Sequence, residues 1–194
     1  YDGDDDLTRF SVLRNWHGSI EALRDFKVRE AAQGARFHYA SSETVILAVL
    51  LRAVTGTTLS EYLTGRLWQP MGAEADATWV KSSDGIESGS GNFNATLRDY
   101  GRLGVLLVRD GTWNGRRLLP EGFTRRMATG TAANPYYGLG VYVAGDYTPR
   151  RGWAGPLRTP PAMQVLHSEP YLAGDVYLFD GNGNQVMYIV PSEE

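Results

Sequence analysis

The stretch "RFHYASSETVILAVLLRAVTG", Arg36 to Gly56, decides how the rest of the chain is read. It opens with aromatic residues, passes through paired serines and runs into an almost unbroken apolar segment. Ser41 or Ser42 suits a helix N-cap, Glu43 suits the positive end of the macrodipole, and Gly56 suits a C-terminal stop. Val45, Ile46, Leu47, Val49, Leu50, Leu51 and Val54 point in nearly every direction around such a helix, which predicts packing on most of its sides. Tyr39 then stands at the mouth of a buried helix. A phenol is a poor base in water, yet a helix N-terminus and a neighbouring ammonium would both favour its ionised form. The residues alone leave two readings of Tyr39: a group poised for proton transfer, or, more plainly, a packed aromatic with a satisfied hydroxyl.

Outward from this segment, the pattern predicts helices first and strands last. Ser19 to Ala32 carries Ile20, Leu23, Phe26 and Val28 at amphipathic spacing, with Gly34 as its terminator. "TLSEYLTGRLWQPMG" holds a capping box, Thr58 with Glu61, ahead of Leu59, Leu63 and Leu67, and Pro70 ends that helix. A glycine-rich loop, "DGIESGSGNFNA", precedes a helix begun at or near Thr96, with Leu97, Leu103, Val105, Leu106 and Val108 as its apolar residues. An Asn-Gly turn lies in "WNGRRLLP", and "EGFTRRMATG" reads as a short helix. "YYGLGVYVAG", "GDVYLFDG" and "QVMYIVP" are strand-length runs, the last two joined by "DGNGN". The expected class is α+β, with a helical region over about 1–130 and strands over about 136–191.

The totals exclude several chemistries. The 194 residues are 42% hydrophobic and 21% charged with a formal net charge of −3, and the basic residues are scattered, which argues against a nucleic-acid surface. With no cysteine there is no disulfide framework and no thiolate nucleophile. His17, His38 and His167 fall in no metal spacing, so neither a metal nor a cofactor is expected. Asp2, Asp4 and Asp6 imitate the start of a calcium loop, but Leu7 and Leu13 stand where it needs glycine and a bidentate glutamate, so the acidic, turn-rich opening reads as a solvated or helix-capping loop. The run Val45–Leu51 is too short to span a bilayer, which needs about 20 residues. "ESGSGN" puts Ser88 where a nucleophile elbow around Ser90 requires glycine, and "GNGN" after Asp180 lacks the third glycine of a phosphate cradle.

With those residues in view, the chain resembles serine hydrolases of the β-lactamase and penicillin-binding-protein superfamily, in the branch of class C-like esterases and 6-aminohexanoate-dimer hydrolases. The segment from Arg36 to Trp79 is similar to the family region in which a Tyr-x-Asn or Tyr-x-Ser motif opens a buried helix, and "LWQPMG" is similar to that region's ending. "SGSGNFNATLRDYGRLGVLLVRDGTWNGRRLLP" resembles the next family segment, a glycine-rich loop, a helix and a turn. The resemblance implies a β-lactamase/DD-peptidase-like fold, a small amide or ester substrate and an acyl-enzyme. It makes Tyr39 the proton relay and Ser41 the motif's third position, with a hydroxyl where an amide is commoner.

"FDGNGNQVMYIVP" falls at the family strand that bears Lys-Thr-Gly, so Gly181, with Asn182 beside it, is expected to meet the substrate. Phe179 and Asp180 replace the lysine and threonine, which shifts the expectation from β-lactams toward amides or esters. The family's nucleophile is the serine of Ser-x-x-Lys, a spacing that puts both side chains on one helix face. Here the two lysines, Lys27 and Lys81, are preceded three positions earlier by Arg24 and Thr78. The 194 residues therefore read as the middle and later part of one longer catalytic domain, and the isolated polypeptide is expected to be inactive. A non-catalytic domain that kept the fold and a cell-wall peptidase are the alternatives; oligomeric state and localisation are not legible.

Overall fold

The computed structural model describes residues 6–29, 31–146, 148–149, 166–168, 170–181 and 185–193. The chain divides into two compact units, Tyr1–Ala32 with Ala40–Tyr100 and Gln33–Tyr39 with Gly101–Glu194. Each is taken in turn.

The first unit is mainly helical. Helices α1 (Asp6–His17) and α2 (Ser19–Arg24) lead to α3 (Ser41–Thr55) and α4 (Leu59–Leu63), the last running into a π-helical turn over Thr64–Trp68. Helix α1 begins at the last aspartate of the acidic opening, and Phe10 and Leu13, which the sequence reading did not single out, fix it to the core. The helix expected over Ser19–Ala32 ends at Arg24. The chain leaves it so that Phe26 turns back and meets Phe10 edge-on at 5.8 Å, while Val28 is left exposed. Phe10, Ala22 and Val45 form one buried cluster, and Ala48, Leu59 and Ile86 form a second.

Helix α3 ends where the sequence placed it but begins one or two residues earlier, with a different cap. Its N-cap is Ala40, extended at φ −141° and ψ 126°, so Ser41 and Ser42 are already inside the first turn and provide no side-chain cap. Gly56 closes the helix in the left-handed conformation at φ 69°, its N–H bonding the Arg52 carbonyl at 2.9 Å. Among the described residues the expected packing on most sides is not found. Only Val45 and Ala48 are buried, while Ile46, Leu47, Leu50, Leu51 and Val54 form an outward apolar face, with Leu47 61% and Val54 75% exposed. Burial needs an opposing surface, and the described residues of this unit supply one only along the Val45–Ala48 side. Replacing Leu47, Leu50 and Val54 together by glutamate should leave the chain's urea midpoint nearly unchanged, about 0.5 kcal/mol or less per site. The same change should lower its binding of a hydrophobic dye, whereas a large loss of stability would show that the face is packed.

Among the described residues no single helix is long and apolar enough to cross a membrane; α3 and α4 with its π turn reach that hydropathy only as a pair bent by 75°. The α4 start is the capping box read from the sequence, Glu61 N–H donating to Thr58 Oγ1 at 3.1 Å and Thr58 N–H to Glu61 Oε2 at 2.9 Å. Strands β1 (Thr78–Trp79) and β2 (Phe93–Asn94) pair antiparallel on either side of the glycine-rich stretch.

The second unit carries the main sheet. Helix α5 (Leu97–Val108) starts in the first unit and continues into the second. Strands β3 (Thr112–Trp113) and β4 (Arg116–Arg117) form a hairpin, its turn residues Asn114 and Gly115 at φ 46° and 76°, as a type I′ turn requires. After α6 (Phe123–Met127) come β5 (Tyr142–Val143), β6 (Thr148–Pro149), β7 (Leu166–Ser168), β8 (Tyr177–Gly181) and β9 (Gln185–Ile189). The β6 and β7 strands pair with each other, and the three-stranded sheet has the order β5-β8-β9. Its hairpin closes with Gly181 opposite Gln185, as "DGNGN" predicted. Leu107, Met127, Val141, Tyr177 and Ile189 make its core. Helices plus small antiparallel sheets make the chain α+β, as expected.

Candidate active site

Tyr39 lies in the second unit, the last residue of the segment Gln33–Tyr39. Its ring stacks on Tyr142 at 6.3 Å with an 18° interplanar angle, and meets Tyr137 edge-to-face at 5.8 Å and 84°. Tyr137 and Tyr142 touch each other at 4.9 Å and 77°, and Phe37 leans on Tyr137 at 5.1 Å. These separations lie in the 4.5–7 Å range of favourable aromatic pairs, each worth about 0.5–1.5 kcal/mol beyond its buried area. Tyr39 is half-buried and Tyr142 buried, so the relay candidate has a partly open ring on a closed floor.

The floor is fixed by the main chain. Tyr137 and Tyr142 form an antiparallel bridge, Gly138 N–H reaches the Val141 carbonyl at 2.9 Å, and Val143 N–H reaches the Tyr136 carbonyl at 3.0 Å. Tyr142 also stands opposite Leu178 in the β5–β8 pairing. Gly181 is three residues beyond Leu178 on β8, roughly 10 Å along the strand. The β5 pairing stops at Leu178, so the Phe179–Gly181 end of β8 is paired with β9 alone among the strand pairings described.

Of the other expected site residues, Ser41 is the first residue of α3 and belongs to the first unit; its carbonyl accepts a hydrogen bond from the Thr44 hydroxyl at 3.0 Å. Asn182 lies outside the described residues. Tyr177, the other tyrosine of this sheet's core, is a structural residue: it is 1% exposed, and burial, with the Asp110 charge adding to it, pushes its hydroxyl up to about 12. Phe37, Tyr137 and Tyr142 could not be found by periodicity, since the contact joins positions about a hundred residues apart; the Tyr-rich "PYYGLGVY" was the only signal.

The glycine-rich stretch of the first unit is a locked loop. Arg14 Nη1 donates to Ser88 Oγ at 2.9 Å, and Trp79 Nε1 donates to the Ser88 and Gly91 carbonyls at 2.8 and 3.1 Å. Gly89 presses on the first turn of α3 so closely that a Cβ would collide with the Thr44 carbonyl oxygen. Gly89→Ala should therefore destabilise the chain by about 2 kcal/mol in urea unfolding, the usual cost of overpacking; an unchanged midpoint would show that the loop yields. Glu87, fully buried, anchors the same loop: Ser60 Oγ donates to it at 2.8 Å, the Leu59 and Ser60 N–H groups at 3.3 and 3.4 Å, and Lys81 Nζ lies 3.4 Å away. Asp99, equally buried, accepts from Glu74 N–H at 2.8 Å and Thr96 Oγ1 at 2.8 Å, joining the start of α5 to the turn after Trp68.

Comparison with known proteins places this geometry in context. The family model described as Beta-lactamase matches residues 13–194. A 6-aminohexanoate-dimer hydrolase from Paenarthrobacter ureafaciens is 29% identical over 120 residues, covering 60% of this chain and 30% of the relative. A solved Bacillus anthracis structure, provisionally described as a 6-aminohexanoate-dimer hydrolase, superimposes with a TM-score of 0.67 at 25% identity, covering 89% of this chain and 40% of its own. A structure from Bacteroides dorei DSM 17855, provisionally described as a beta-lactamase, shares the fold with a TM-score of 0.55 at 17% identity, covering 92% of this chain and 54% of its own. The chain thus spans well under two thirds of the length of these relatives.

Proposed function

The chain belongs to the beta-lactamase family, and from that premise we propose that its residues are the middle and later part of one catalytic domain that hydrolyses amide or ester bonds through an acyl-enzyme, with Tyr39 as proton relay. The observation that carries the reading is the setting of Tyr39: two residues ahead of α3, in a Tyr-x-Ser that resembles the family motif, with its ring seated on Tyr142. A serine from outside these residues attacks the carbonyl, and the lysine one helical turn after it takes the hydroxyl proton. Tyr39 passes a proton to the departing nitrogen or oxygen as the carbonyl–heteroatom bond breaks. Water then releases the acid by the reverse proton path. Backbone N–H groups, one from the nucleophile and one from β8 near Gly181, hold the oxyanion.

Phe179 and Asp180 put an apolar ring and an anion where the family's β-lactam binders carry lysine and threonine, so a substrate carboxylate finds no cation there. Short acyl esters, and linear amides such as the 6-aminohexanoate dimer whose carboxylate lies five methylenes from the scissile bond, fit this better than β-lactams, whose carboxylate sits beside it. The same substitution is what favours the second reading, a binding domain that kept the fold without catalysis. A fluorophosphonate probe on the full-length protein separates the two. Labelling of a serine, with faster turnover of p-nitrophenyl acetate or the amide dimer than of nitrocefin, supports the hydrolase; absence of labelling in a folded protein that still binds the dimer supports the second.

A further inference from the structure

We propose that Tyr142 and Tyr137 are positioning residues for Tyr39, a socket that turns the phenol toward the scissile bond; this rests on the proposed proton-relay role. A half-buried tyrosine in the extended segment before α3 has two side-chain torsions free unless something holds the ring. Here the ring is held on two sides at right angles. Tyr142 meets its face at 6.3 Å and 18°, and Tyr137 fixes its edge at 5.8 Å and 84°. Neither support is on a mobile tip: Tyr142 is buried and paired with Leu178 in the sheet, and Tyr137 is bridged to Tyr142 through the main chain. The Gly138 corner between them is set against the Met127 carbonyl so closely that a Cβ would collide with it. Strand pairing and the Tyr137–Tyr142 bridge thereby set the surface on which the Tyr39 ring sits, and proton transfer is steep in that placement.

The test uses the full-length protein and a chromogenic ester, with Tyr142→Leu, Tyr137→Leu and Tyr142→Phe, each made alone and with Tyr39→Phe. Tyr142→Leu should lower kcat by about 30-fold with KM within about twofold, since misplacement of order 1 Å costs up to about a hundredfold. Tyr142→Phe, which keeps the ring, should retain kcat within about twofold. In the Tyr39→Phe background Tyr142→Leu should lower kcat by no more than about twofold, because no relay is left to misplace. Equal losses in both backgrounds, or full kcat in folded Tyr142→Leu and Tyr137→Leu, would overturn the socket. Should Tyr142→Leu fail to fold, the half-buried Tyr137→Leu gives the same comparison. A drop in Tyr39→Phe alone with no effect of either leucine variant removes the socket and keeps the relay; no drop in Tyr39→Phe removes both.

Discussion

Tyr39→Phe in the full-length protein lowers kcat for ester and amide substrates by about 10²- to 10⁴-fold, the range removed with a positioned general acid or base, while KM changes little and thermal unfolding is unaltered. The substitution deletes one oxygen and leaves the stacking on Tyr142 and the edge contact with Tyr137 intact, so a loss of activity cannot be attributed to lost packing. Steady-state kinetics beside a melting curve decide it. If Tyr39 were a packed aromatic only, kcat would stay within about twofold.

The largest expected effect on stability belongs to Glu87. Glu87→Ala should destabilise the chain by about 4 kcal/mol, from a cavity at a fully buried side chain plus donors at Leu59 and Ser60 left without their acceptor. Lys81 contributes much less, because its side chain is 46% exposed and such pairs are worth about 1 kcal/mol or less. Lys81→Met should accordingly cost under about 1 kcal/mol, and an equal cost for the two variants would show that the ion pair dominates. Burial alone would raise the Glu87 carboxyl. The Ser60 hydroxyl and backbone N–H donors, helped by the Lys81 charge, outweigh it and hold the carboxyl below its ordinary value of 4.5. A carboxylate lowered in the folded state stabilises it fully above the unfolded value. That contribution falls as pH drops below about 4.5 and through the lower folded value. Urea midpoints across that range should therefore decline more steeply for the wild type than for Glu87→Gln.

What could be read from the sequence was local. The Thr58–Glu61 box, the left-handed Gly56 and the Asn114-Gly115 turn are set by side chains within a few residues of the backbone they satisfy, and all three are as expected. The Gly181–Gln185 hairpin follows from alternating strand residues around a glycine-rich turn. What escaped depends on distant surfaces. Apolar residues all round α3 suggested burial, yet burial is decided by what packs opposite, and one face has no cover among the described residues. The acidic opening concealed α1, whose anchor is a ring contact between Phe10 and Phe26 across a chain reversal. Glu87 and Asp99 drew no reading from the sequence, because nothing local says that the start of α4 and the turn after Trp68 come to them for an acceptor. At the candidate site the sequence singled out Tyr39 through its motif, while its ring contacts with Tyr137 and Tyr142 became visible only in the folded chain.

The central claim is that the Tyr39 hydroxyl moves a proton while the acyl-enzyme forms. Single-turnover release of p-nitroaniline from an acyl p-nitroanilide, with the full-length protein in excess, addresses that step alone, because an amide nitrogen departs only when it is protonated. Wild type should release the amine stoichiometrically, and Tyr39→Phe should give the same amplitude with a rate slower by at least about a hundredfold; an unchanged rate in Tyr39→Phe would contradict the account.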